Sequence, residues 1–220
     1  MKRPANALSL AVLTLLFEKP MHPYEMSTTL RHRSKEESIR LNYGSLYAVV
    51  ESLRKKGLIA ARETLREGNR PERTVYELTE AGAAAMHEWL SEMLRDPTPQ
   101  FTDFEAALSL MGAIPPDEAL ALLKLRLKAL RLTSNQYDGV RSNLPEGFPD
   151  LFMVEGDYSE AVRRAEIAFV EKLAGDIEHG RLGGMEVWQR IHELRAAGHS
   201  GEEATAKIAE EFGHLFDIDT

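Results

Sequence analysis

Apolar residues recur along this chain in short amphipathic runs broken by proline and glycine, a pattern that predicts a mainly helical protein. Leu8, Val12, Leu15 and Leu16 stand at helical spacing and Pro20 ends the run, predicting a short buried helix. Pro23 suits the first position of a second helix, where its missing N–H costs nothing, and Tyr24, Met26 and Leu30 mark its face up to about His32. The polar stretch Arg33 to Arg40 reads as a loop. A third helix follows, with Asn42 as N-cap, Leu46, Val49, Val50 and Leu53 as its apolar stripe, and Gly57 as its stop. Three short helices in this order trace a helix-turn-helix outline. Beyond Gly57, Leu58 to Leu65 and Arg73 to Leu78 are short, partly β-branched runs around the turn-forming Glu67-Gly68-Asn69-Arg70-Pro71, which predicts a β-hairpin with a basic tip.

Thr79 caps a fourth helix bearing Met86, Leu90, Met93 and Leu94, and Asp96-Pro97-Thr98-Pro99 marks a domain boundary. Phe101, Phe104, Leu108 and Met111 predict one helical segment, and Pro115-Pro116-Asp117 starts a longer one. In it Leu120, Leu123, Leu127 and Leu130 recur at spacings of three and four, the seam of a helix packed lengthwise on a partner. After the connection Asn143 to Asp150, another helix runs through Tyr158, Val162, Ala165, Phe169, Leu173 and Ile177. Gly183-Gly184 breaks the chain, and two amphipathic stretches close it: Val187, Ile191 and Leu194, then Ile208, Phe212, Leu215 and Phe216 behind the capping box Ser200 to Glu203. The fold expected is mainly α with a small β-hairpin wing. Its divisions are a winged helix-turn-helix over 1–95, a helical region over 100–182 and a helical extension over 183–220.

Charge changes what this outline means. The net charge of -8 is unevenly spread. Residues 1–95 hold 15 Lys and Arg against 12 Asp and Glu, a balance of +3, and the remainder holds 12 against 23, a balance of -11. The segment from Arg31 to Arg73 is the most basic, so a polyanion would meet the N-terminal domain there. The absence of cysteine removes disulfides, thiolate zinc sites and cysteine nucleophiles. No apolar run is long enough to span a bilayer, and no small-residue cleavage site follows Leu8 to Phe17, so the expected location is the cytoplasm, with no membrane partner.

The residues Asn42-Tyr43-Gly44-Ser45-Leu46-Tyr47, Gly57-Leu58-Ile59 and Arg73-Thr74-Val75-Tyr76-Glu77-Leu78-Thr79-Glu80-Ala81-Gly82, with Leu10-Ala11-Val12-Leu13 and Met21-His22-Pro23-Tyr24-Glu25 before them, closely resemble the PadR family of bacterial transcriptional regulators. The resemblance runs in order over residues 5–95 and departs at Pro23, where the family usually has glycine. It implies a homodimeric winged helix-turn-helix repressor whose third helix enters the major groove of double-stranded DNA and whose wing lies against the flanking backbone. It also implies a small aromatic or lipophilic effector. Phe104 to Leu110 and the helices after it look like the longer C-terminal region of part of that family. Nothing recognisable begins at Gly183.

On a helical wheel the stripe Leu46, Val49, Val50 and Leu53 places Gly44, Ser45, Ala48, Glu51, Ser52 and Lys55 opposite, with Tyr47 and Arg54 at the border. Small residues near that N-terminus let a backbone approach base edges. The expected DNA-binding residues are Tyr43, Gly44, Ser45, Tyr47, Ala48, Lys55 and Lys56 on the helix and Arg66, Asn69, Arg70 and Arg73 on the wing. Both tyrosines are also readable as half-buried packing residues, and the lysines equally as a solvated helix end. Leu120, Leu123, Leu127, Leu130 and Phe169 are expected to pair two subunits over a pseudo-palindromic site, with the tail adding dimer contacts. Trp89, Phe101, Phe104 and Tyr137 are the candidate lining of an effector cleft, although aromatic residues at helical spacing are more often core. No enzyme motif is present, His179, His192, His199 and His214 lack ligand spacing, and no cofactor or metal is expected. A winged helix serving as a protein-interaction module without DNA is the alternative.

Overall fold

The computed structural model describes residues 7–37, 39, 43–65 and 73–213. The chain divides into two compact units, Met1–Gln100 and Phe101–Thr220. In the first, α1 (Ala7–Glu18), α2 (Pro23–His32), α3 (Tyr43–Lys55) and α4 (Glu80–Arg95) enclose one core beside the antiparallel strands β1 (Ile59–Leu65) and β2 (Arg73–Leu78). α1 is buried almost all round because Leu8, Leu10, Val12, Leu13, Leu15 and Leu16 cover most of its circumference. α2 begins as its sequence predicts, with Pro23 in the first turn and the His22 ring accepting the Tyr24 amide at 3.1 Å. The connection to α3 carries a short 3₁₀ turn, Lys35–Glu37, and Ile39 packs against the core. Asn42, the expected N-cap of α3, lies outside the described residues.

Met21 adds what periodicity does not reveal. Its N–H and C=O exchange 3.0 Å hydrogen bonds with Tyr76, joining the link between α1 and α2 to the edge of β2 that faces away from β1. The hairpin itself runs from Ile59 opposite Leu78 to Leu65 opposite Arg73, with a bulge at Arg62. At its base Thr79 binds three elements: its hydroxyl donates to the Gly57 carbonyl at 2.8 Å and accepts the Gly82 amide at 3.0 Å, and its amide donates to Leu58. Gly82 is obligatory there, since a Cβ would sit 2.0 Å from the Leu58 carbonyl oxygen. The close approach also settles which face of α4 is inside. Gly82, Ala85 and Trp89 are buried and Met86 is partly so, whereas Leu90, Met93 and Leu94, expected on the apolar face, are exposed.

The second unit holds α5 (Asp103–Ser109), the long helices α6 (Pro116–Ser142) and α7 (Val154–Glu178), and the closing pair α8 (Met185–Ala196) and α9 (Gly201–Phe212). α6 and α7 run antiparallel, because partners descend along one as they ascend the other. Lys124 meets Glu178 at 2.6 Å, Arg131 meets Glu171, and Asp138 meets Arg164 at 2.6 Å, each step seven residues on both helices. The sign of the pair reverses at the third step, so a slip of one heptad would set Asp138 against Glu171 or Arg131 against Arg164. Along the other edge Arg126 meets Glu166 at 2.5 Å and the Tyr137 hydroxyl donates to Asp157 at 2.6 Å. Burial, then that acceptor, push the Tyr137 phenol up to about 12.

The leucine seam finds its partner inside the chain. Leu123 is buried, and Leu120, Leu127 and Leu130 pack with Val170, Leu173, Ala174 and Ile177 of α7. α7 departs from its apolar pattern: Tyr158, Val162, Ala165 and Phe169 are exposed, while Leu173 and Ile177 join the core. The inward face of its first half is polar instead. Glu160, 4% exposed, accepts from Ser134, Arg163 and Arg164. Burial raises the pKa of its carboxyl, but those three donors together hold it below the usual carboxylate range. α8 joins the same core through Met185 and Trp188, whose indole N–H donates to the Ile114 carbonyl at 2.8 Å.

Candidate nucleic-acid interface

The apolar stripe of α3 is wholly inside: Leu46, Val49, Val50 and Leu53 are all buried in the first unit. Four buried anchors on one arc fix the helix about its axis and leave the opposite arc in solvent. Gly44, Ser45, Ala48, Ser52, Arg54, Lys55 and Lys56 are exposed there, and Tyr47 at the border is 46% exposed. The face is small at its N-terminal end and cationic at its C-terminal end, so the backbone can approach a groove floor while longer side chains reach outward. Tyr43 begins the helix, but its side chain lies outside the described residues.

Glu51 sits among these cations and is claimed by Arg54, which donates two hydrogen bonds at 2.9 and 2.8 Å. That fork holds the Glu51 carboxyl below its ordinary range, and Lys55 stands 3.7 Å from it. The pair removes from the helix face a charge that would repel phosphate. Arg54 was readable in the sequence as a border position, and its exposure makes it a member of this face. Lys56 has no carboxylate partner among the described residues.

On the hairpin, Arg66, Asn69 and Arg70 lie outside the described residues, as does the side chain of Arg73, whose backbone closes the ladder opposite Leu65. Arg62, part of the basic segment but not among the expected DNA-binding residues, is the bulged residue of β1. Its exposed guanidinium reaches Glu77 only at 3.9 Å, a solvent-screened contact of little worth. A bulge that re-aims an arginine at the root of a basic ribbon adds to the same electrostatic footprint.

The four candidate effector residues are not assembled into one site within either unit. Trp89 is in the core of the first unit, with its indole N–H unpartnered. Phe101 is 93% exposed. Phe104 lines an apolar cavity of about 220 Å³ with Leu108, Met111, Ile114 and Leu123, and the Arg126 guanidinium lies 3.7 Å over its ring. Tyr137 is eleven residues farther along α6 than Arg126, roughly 16 Å at the helical rise, and packs against Gly156. Among the described residues no cluster of three or more His, Cys, Asp or Glu is arranged to hold a metal, and no helix is long and apolar enough to cross a membrane.

The model of the transcriptional regulator PadR-like family matches residues 12–88. No curated protein matches the chain. Among solved structures, Bacillus subtilis PadR in complex with operator DNA is 19% identical, with a TM-score of 0.59 over 77% of this chain and 98% of its own. The same protein in complex with p-coumaric acid is 17% identical, with a TM-score of 0.62 over 78% and 98%. The Vibrio cholerae virulence activator AphA is 16% identical, with a TM-score of 0.58 over 79% and 99%. At such identities the likeness establishes a shared winged-helix fold.

Proposed function

We propose that this chain, whose residues 12–88 match the PadR-like family of transcriptional regulators, binds a pseudo-palindromic operator as a homodimer and represses transcription from it. The observation that carries this reading is the α3 face: a helix pinned by four buried anchors that turns Gly44, Ser45 and Ala48 outward beside Arg54, Lys55 and Lys56. Ser45 and Tyr47 supply polar contacts to bases or phosphate, and Arg66, Asn69, Arg70 and Arg73 on the wing contact the flanking backbone. Residues 1–95 are assigned to DNA, 100–182 to pairing of subunits, and 183–220 to a helical extension.

The surface of the second unit supports pairing. Leu122, Leu125 and Leu132 on α6 and Tyr158, Val162 and Phe169 on α7 are exposed large apolar residues. Their seven- and four-residue spacings suit a second antiparallel hairpin, and a two-fold contact would bring two recognition helices to one pseudo-palindromic site. Phe169 therefore keeps the pairing role its sequence position indicates, whereas Leu120, Leu123, Leu127 and Leu130 support the surface from beneath. Repression is favoured over activation by the family resemblance, although one structural relative is named an activator. Release by a small aromatic or lipophilic effector is proposed by analogy with the p-coumaric acid complex, and the Phe104 cavity is its place in this chain.

The test is a salt titration of binding to duplex DNA carrying the chain's own promoter. Wild-type protein should bind at low salt with a steep negative salt slope, and Arg70→Ala should weaken all sequences about equally and lower the slope by about one. No binding above background at low salt, with Arg70→Ala without effect, overturns the DNA reading and leaves a protein-interaction module.

A further inference from the structure

Seven of the eight arginines in Phe101–Thr220 meet a carboxylate: Arg126, Arg131, Arg141, Arg163, Arg164, Arg181 and Arg190. Arg195 does not. Among the described residues its one polar contact is a 3.3 Å donation to the His199 carbonyl, made by a single nitrogen of the guanidinium. Arg195 is exposed and meets no carboxylate among the described residues, so its guanidinium is available to a negative group.

Arg195 lines a cavity of about 340 Å³ between α8, α9 and the turn at Gly112, within the range of small-molecule sites. Ile191, Ala204 and Ile208 form its apolar side, with Ala204 and Ile208 themselves buried. His192 and Thr205 complete the rim. Both already spend a hydrogen bond on the backbone: the His192 Nε2 bonds the Gly112 carbonyl at 3.0 Å and the Thr205 hydroxyl donates to Gly201 at 2.8 Å. The nearby Glu203 carboxylate is taken by the Ser200 amide at 2.7 Å in the capping box and makes no pair with Arg195. The free donors at this rim therefore belong to Arg195, and its planar fork matches a carboxylate in two parallel bonds.

We propose that this cavity binds a small organic carboxylate whose hydrocarbon body rests on Ile191 and Ile208 while its head group is held by Arg195. The site is separate from the Phe104 cavity, and its occupancy is read on the protein alone, so it stands or falls apart from the DNA reading.

The full chain, labelled at isoleucine methyl groups, is titrated with hexanoate and followed by NMR. Ile191 and Ile208 should shift saturably, whereas Ile114, which lines the Phe104 cavity, serves as the reporter for that other site. Arg195→Gln should weaken the Ile191 and Ile208 response at least about tenfold. Thr205→Phe, which fills the mouth without altering charge, should abolish it, with an unchanged Ile114 spectrum showing that the fold persists. Hexanol and inorganic phosphate, each lacking one half of the ligand, should shift neither methyl at the same concentrations. The proposal is overturned if Ile191 and Ile208 do not respond to hexanoate, if Arg195→Gln binds as wild type, or if hexanol or phosphate binds as well as hexanoate.

Discussion

The two units solve the problem of an amphipathic helix differently. In the first, the stripe of α3 is consumed by one closed core, and what remains outside is small or cationic. In the second, α6 and α7 share a leucine interface at one end and a charged one at the other, and large apolar side chains are left in solvent. Monomeric proteins seldom expose large contiguous apolar patches. A helix face that is small and cationic is suited to a polyanion, and a hairpin with exposed apolar side chains to another copy of itself.

Substitutions can break this division. The largest effect is expected from Gly82→Ala, which drives a methyl group into the Leu58 carbonyl and should cost the first unit about 3 kcal/mol or more. Thermal unfolding followed separately in each unit checks this: the first transition should fall while the second holds, and equal shifts in both would mean the units are not independent. Next is Phe169→Glu with Leu125→Glu, on side chains 50% and 65% exposed, which should leave each monomer folded. Sedimentation should show half the wild-type mass, and operator affinity should drop by about a hundredfold as two linked half-site contacts become one. A wild-type monomer at micromolar concentration would defeat the pairing proposal outright.

Glu160→Gln tests the polar end of the hairpin and should cost about 2 kcal/mol at neutral pH, because the buried negative charge facing Arg163 and Arg164 is lost and one of the two accepting oxygens becomes an N–H donor. The sign with pH follows from the depressed carboxyl: its stabilisation is present above the unfolded-state value and lost as pH falls through the lower folded-state value. Urea midpoints should thus show wild type and variant converging at acid pH, and a constant difference would assign the effect to shape instead of charge. The smallest change is expected from Lys56→Ala, a few-fold in DNA affinity at all sequences with a salt slope lower by about one.

Much of the first unit was legible because its local and tertiary signals agree. Pro20, Pro23, Gly57 and Thr79 punctuate the chain where the elements begin and end, and one helical period locates the buried side of α3. The Met21 bridge was not, since two residues of extended backbone carry no period. On α4 the reading favoured Leu90, Met93 and Leu94 by size and missed that Gly82 and Ala85 let the backbone come close enough to bury Trp89. On α7 hydrophobicity pointed outward, because a stripe records burial without saying whether the partner is in the same chain. The leucines of α6 and Phe169 of α7 share one expected role, yet the leucines pack within the unit and Phe169 is exposed. Arg195 was invisible to pattern reading, since the absence of a partner is a fact of three dimensions.

Thr79 makes the first unit a mechanical linkage as well as a scaffold. One residue fastens the last carbonyl beyond α3, the root of the wing and the first turn of α4. With Gly82 pressed against the same spot, there is no slack for α4 to turn independently. A torque on the first turn of α4 would therefore be felt at the end of α3 and at the foot of the ribbon. Were α3 to read DNA as proposed, a displacement of α4 would alter the pitch at which that helix is presented.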